Sequence, residues 1–161
     1  MINPAVNGFT TIDLIARELG YTRDLKPDLV TVLIGVNDLV QGRSAGQFRE
    51  SLVEIYDALS ALGLPRGRVV TVSIPDWSVV PAAADYGEPD RLRALTESFN
   101  AIAQAEAQRR GFTWVDITEV SGHVSGSPGW IAGDRLHPGD PQYAAWAETI
   151  WAAVEQDWSA L

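Results

Sequence analysis

An α/β fold with a parallel sheet is the architecture this sequence predicts, on three observations. Continuous β-branched runs such as LVTVLI at 29–34 and RVVTVSI at 68–74 recur along the chain, and unbroken apolarity of this kind marks strands buried on both faces. Long stretches with apolar residues at helical spacing lie between them. Strands that alternate with helices pair in parallel through right-handed crossovers, so helices cover both faces of the sheet.

Taken in order, Met1–Val6 reads as a short strand, Asn7-Gly8 as a turn, and Thr10 or Thr11 as the cap of a helix running to about Gly20. Pro27 restarts the chain, Leu29–Ile34 is the next strand, and GVNDLV is a loop at its C-terminal end. From Ser44 to Leu62 the residues Phe48, Leu52, Ile55, Leu59 and Leu62 keep helical spacing, and Gly63 ends the segment. Arg68–Ile74 is a strand, and the aperiodic Pro75–Pro89, with Trp77 and Tyr86, is a long loop. Asp90–Arg110 is a helix, Phe112–Ile117 a strand and Thr118–Gly133 a Gly/Ser-rich loop. Pro141 to about Trp158 is an amphipathic helix with Trp146, Trp151 and Trp158 on its packed face.

A chain of 161 residues suits one domain with one core, and 46% hydrophobic with 20% charged residues is an ordinary globular composition. A net charge of -9 argues against nucleic acid as a partner. No apolar run reaches the roughly 20 residues of a membrane span. With no cysteine in the sequence, thiolate catalysis, disulfides and cysteine-bound zinc are excluded. As written the chain is expected to be cytoplasmic; an upstream signal segment would make it secreted.

The stretch IAGDRLHPGD at 131–140 sets Asp134 and His137 three residues apart in a turn bounded by Gly and Pro. A carboxylate at that spacing can hold one imidazole nitrogen while the other moves a proton. Alone, such a pair is more often a helix cap, Asn37-Asp38 a turn pair, and Gly8 a turn glycine. Asp134, His137 and Asp140 make a weak metal set, and His123, in a Gly/Ser loop, reads as a surface residue. Trp77 and Trp130 lie in loops at the expected ligand rim, where they can line a substrate pocket or simply pack.

Three short motifs in order carry a resemblance. NPAVNGFTT resembles the second block of the SGNH hydrolases, the GDSL-type esterases and lipases, and puts that block's glycine on Gly8. VTVLIGVND resembles the third, with its asparagine at Asn37, and GDRLHP the fifth, with its acid at Asp134 and base at His137. The resemblance implies a serine esterase or acyl hydrolase acting on small esters, without metal or cofactor. It also implies an oxyanion hole built from the Gly8 N–H and the Asn37 amide, in which loss of one donor costs about 2.7–4 kcal/mol of transition-state stabilisation. Short acyl esters, acetylated sugars, lysophospholipids and thioesters are all within its reach.

The family's Gly-Asp-Ser block does not occur in the sequence. Ser44 starts a helix, Ser73 lies in a strand, and Ser121, Ser125 and Ser127 lie in a loop without a strand-to-helix elbow, so the nucleophile is not found in this chain. The resemblance further implies a flavodoxin-like three-layer α/β/α domain with strand order 2-1-3-4-5, whose first, serine-bearing strand is missing from a central slot. Three expectations compete: the first segment moves across to pair, another chain fills the slot by association, or the domain is incomplete at its N-terminus, which is the leading one. The alternative function is a non-catalytic, hydrolase-like module that binds an acyl or carbohydrate ligand.

Overall fold

The computed structural model describes residues 1–123 and 127–159. Three parallel strands, β1 (Val30–Val32), β2 (Val69–Val72) and β3 (Thr113–Val115), lie side by side in that order. Thr31 pairs with Val70 and Thr71 with Trp114. Around them run α1 (Thr11–Arg17), α2 (Leu19–Asp24), α3 (Val36–Val40), α4 (Ala45–Ser60), α5 (Pro89–Arg109), α6 (Thr118–Gly122) and α7 (Asp140–Trp158). The α/β architecture expected from the sequence is the one observed.

The pleat of β2 sorts the core into two layers, because successive side chains of a strand point to opposite faces. Val69 belongs to the layer of α1, α4 and α5, with Leu14, Phe48, Leu52, Ile55 and Phe99. Val70 and Val72 belong to the layer under α7, with Val115, Ile117, Trp146 and Val154. In the layer of α1, α4 and α5, Phe48 of α4 stacks on Phe99 of α5 with ring centroids 4.3 Å apart. Burying a side chain of this size stabilises the fold by about 1.5–3 kcal/mol. Two helix starts are fixed by reciprocal capping: Thr10 with Asp13 for α1, and Ser44 with Gln47 for α4.

The second layer stops short of β1. Thr31 and Leu33, on the same face as Val70, are exposed, and β1 forms one edge of the sheet. Among the described residues no fourth strand pairs with that edge.

Several expectations need correction. Residues 1–6 form no strand and are exposed. An isolated extended segment buries nothing that would hold it, and Asn3 Oδ1 instead accepts a bond from the Ala5 N–H at 3.1 Å. The helix expected to end near Gly20 breaks at Glu18 and resumes as α2 to Asp24. GVNDLV is not a loop: beyond Gly35 it winds into α3. Within the 118–133 segment, Asp116 Oδ1 accepts bonds from the Thr118 N–H at 2.8 Å and hydroxyl at 2.6 Å, and α6 begins there. Ser125 of that segment lies outside the described residues, and the 75–89 loop contains one 3-10 turn, Pro81–Asp85. On α7, Trp146 is buried and the Trp158 Nε1–H donates to the Gly67 carbonyl at 2.8 Å. Trp151 departs from the expected packed face and is 50% exposed.

Candidate active site

Asp134 and His137 sit at the tip of a small ribbon formed by residues 130–139. Its two arms are joined by the Ala132 N–H donating to the His137 carbonyl at 2.8 Å and the Gly139 N–H donating to the Trp130 carbonyl at 2.9 Å. Ile131 and Pro138 form an antiparallel bridge between them. The tip turns through Arg135 in the left-handed region, at φ 66°. The Ala82 N–H of the 3-10 turn donates to the Arg135 carbonyl at 3.1 Å, while Ile131 and Leu136 pack on the larger core cluster.

Within this tip, Asp134 Oδ1 accepts from the backbone N–H groups of Leu136 at 3.0 Å and His137 at 2.9 Å. Its Oδ2 meets His137 Nδ1 at 2.6 Å. The two backbone bonds, and after them the bond to the His137 ring, hold the Asp134 carboxyl well down from its usual 3.8, at about 2. An ionised carboxylate only accepts, so Nδ1 must carry the hydrogen, and Nε2 is left with its lone pair to take a proton. Both side chains are half exposed. The pair is not a helix cap, since α7 starts from Gly139.

The second group of residues lies where α3 leaves β1. Gly8 adopts φ 87°, a backbone conformation that side chains disfavour, and the Phe9 N–H closes its turn on the Val6 carbonyl at 3.3 Å. The Asn37 amide nitrogen Nδ2 donates one hydrogen to the Phe9 carbonyl at 2.9 Å, which leaves the second N–H available. Asn37 and Asp38 are therefore not a turn pair but lie in the first turn of α3. Gly35 makes the turn into that helix at φ 123°, and a Cβ there would lie 2.8 Å from Phe48. Asp38 is fully buried, bonded to the Thr11 N–H and hydroxyl and ion-paired with Arg43 at 3.1 Å. The sequence offers Thr11 only as an alternative helix cap and gives Arg43 no role; their meeting at Asp38 is made by the fold.

The fold thus joins Asp134 to His137 and Gly8's loop to Asn37. Among the described residues no hydrogen bond runs directly between the two groups. Val36 and Leu39 from one side and Ile131 and Leu136 from the other pack on the same core cluster. Asn37 follows the C-terminal end of β1, the end at which ligands bind in parallel sheets, while the ribbon comes after β3 and α6 in the chain. Trp77 joins that core, edge-on to Tyr86 with centroids 5.6 Å apart. The indole N–H groups of Trp77 and Trp130 are buried without a hydrogen-bond partner.

Three of the serines weighed from the sequence, Ser44, Ser73 and Ser121, are engaged in the fold. Ser73 Oγ is buried between Asp116 and the Ile117 N–H. The Ser121 hydroxyl donates to the Ile117 carbonyl at 2.6 Å, and Ser44 caps α4. Ser127 is exposed and its carbonyl accepts from the Trp130 N–H. His123 is exposed at the end of α6. Among the described residues no three His, Asp or Glu side chains gather as a metal site, and no helix is long and apolar enough to cross a membrane.

A three-stranded parallel sheet surrounded by helices makes this an α/β protein. The chain belongs to the GDSL-like lipase/acylhydrolase family, whose model matches residues 1–145. It is 24% identical over 163 residues to an acetylxylan esterase of Geobacillus stearothermophilus, covering 98% of this chain and 73% of that protein. The crystal structure of Axe2, an acetylxylan esterase from the same organism, superposes with a TM-score of 0.76 at 19% identity over 95% of this chain and 71% of that one. LAE5, an α/β hydrolase from the metagenome of Lake Arreo, gives 0.73 at 22% identity over 92% and 69%. These structural likenesses bear on the fold.

Proposed function

We propose that this chain supplies the acid–base pair and the oxyanion donors of a serine esterase acting on small esters. His137 Nε2 removes the proton of an attacking serine hydroxyl and returns it to the departing alcohol, with Asp134 fixing the tautomer and stabilising the imidazolium. The Gly8 N–H and the second Asn37 N–H receive the charge that develops on the ester carbonyl oxygen. The observation that carries this reading is the 2.6 Å contact between Asp134 and His137, with Asp134 held ionised. The nucleophile is a serine delivered by a strand lying against the open edge of β1, so these 161 residues alone turn over no ester. An acetylated xylose unit is the substrate to try first, because a similar relative is named for acetylxylan.

The test is fluorophosphonate labelling of the 161-residue chain, with His137→Ala as control and peptide mass spectrometry to find any adduct. No adduct agrees with an external nucleophile. One labelled serine, lost in the control, places the nucleophile within the chain and ends the external-strand proposal. In a chain restored with its serine strand, ester turnover that survives His137→Ala ends the assignment of His137 as the base. A second reading, a module that binds an acyl or carbohydrate ligand without hydrolysing it, is favoured by the engagement of Ser44, Ser73 and Ser121 in the fold. Calorimetric binding of acetylated xylo-oligosaccharide to a full-length protein that lacks a serine beside His137 would establish it.

A further inference from the structure

We infer that Asp38 is a positioning residue: it locks the loop carrying Gly8 to the helix carrying Asn37, so that the two oxyanion donors keep one spacing. The inference rests on the esterase reading for its purpose, but its geometry stands independently. A fully buried carboxylate is costly unless it is paired and its lone pairs are filled. Asp38 meets both conditions across a long stretch of sequence. Its Oδ2 accepts from the Thr11 N–H at 2.9 Å and its Oδ1 from the Thr11 hydroxyl at 2.6 Å, between residues 27 apart in the chain. Arg43 Nη1 reaches Oδ1 at 3.1 Å and the Thr11 hydroxyl oxygen at 2.9 Å. Arg43 Nη2 then donates to the Gln47 carbonyl and to Ser51 Oγ, which anchors the group to α4.

Such a device is needed because the two donors sit on weak elements. Helix α3 has five residues and α1 seven, too few turns to fix their own orientation. Gly8 precedes Thr11 by three positions and Asn37 adjoins Asp38, so the bonds at Thr11 transmit directly to the donors. The Asn37 bond to the Phe9 carbonyl adds a further tie between the same two segments. It also spends one amide hydrogen and thereby dictates where the other points. An oxyanion hole works only when its donors are set before charge develops, and Asp38 sets the distance between them.

The test uses the 161-residue chain, labelled with nitrogen-15, and involves no ester, so its outcome is separate from that of the labelling test above. Asp38→Asn keeps the size and removes the charge. Expected are unchanged amide signals in β2 and β3, a shifted Gly8 amide, and exchange of the Asn37 side-chain hydrogens faster by at least about tenfold. Thr11→Val, which removes the hydroxyl bond and keeps the N–H, gives the same pattern more weakly, while Thr11→Ser restores it. Gly8 and Asn37 signals that stay fixed in Asp38→Asn while the sheet stays intact overturn the inference. So does a lowered melting temperature without faster Asn37 exchange, or global unfolding of both Asp38→Asn and Thr11→Val, because Asp38 would then serve folding alone.

Discussion

Asp134 and His137 stand half exposed on a ribbon whose arms and tip are joined by hydrogen bonds within residues 130–139, with the Ala82 N–H tying the Arg135 carbonyl to the neighbouring 3-10 turn. Asn37 and Asp38 stand on a short helix tied to residues 27 and 28 positions away, over a Phe48 with no exposed surface. The same rim therefore carries one locally built half and one half that exists only when distant segments have come together. The local half answers to its turn, and the distant half answers to the whole core.

The largest effect that separates them is expected from Phe48→Ala. Emptying its place against Phe99 removes buried surface and leaves a cavity, costing about 3–5 kcal/mol. Urea unfolding checks the magnitude. Amide exchange should show the Asn37–Phe9 tie weakening before the Asp134 turn changes, and simultaneous loss of both would dissolve the contrast. Gly35→Ala comes next, at roughly 2–4 kcal/mol, from a side chain in the left-handed region and overpacking. Its Cβ would press on Phe48 at 2.8 Å and on the Ile74 side chain at 2.9 Å. A thermal melt of this variant that matched the parent protein would break the link between α3 and the core.

Asp134→Asn acts on the exposed half and should leave the melting midpoint nearly unchanged while freeing the His137 ring. The parent turn carries its own pH signature. The folded carboxyl titrates below its unfolded value, so its contribution is complete above about 3.8 and drains away as pH falls toward about 2. A carbon-13 titration of the Asp134 carboxyl checks this; a midpoint near 3.8 would mean that the backbone bonds at the tip do not hold in solution. The smallest effect is that of Trp151→Ser on α7. Although large and aromatic, Trp151 is 50% exposed, and its replacement should shift stability by no more than about 0.5 kcal/mol.

The same division governs what the sequence made legible. Strands β2 and β3 and helices α4, α5 and α7 are written in apolar runs and periods long enough to read. Helices α3 and α6, five residues each, are too short to display a period, and they read as loops. The 1–6 segment has strand-like residues but no neighbour in the structure, and pairing is not a property of the segment itself. In the site, Asp134 and His137 declare themselves because three-residue spacing within a turn leaves the two side chains little choice. The meeting of Thr11, Asp38 and Arg43 has no local signature, being made by packing.

Gly139 gives the ribbon a property of another kind. A Cβ at this position would overlap the Gly129 carbonyl, so the arms close through backbone against backbone, without side chains between them. In a saturation library scored for folding, position 139 should tolerate only glycine even though its own φ of -90° suits any residue. A designer moving the Asp134–His137 tip to another scaffold must therefore carry the whole stretch 129–139, with its two bare lengths of main chain, and not a four-residue motif. The portable unit is the ribbon, and its smallest side chain sets the limit on how far it can drift.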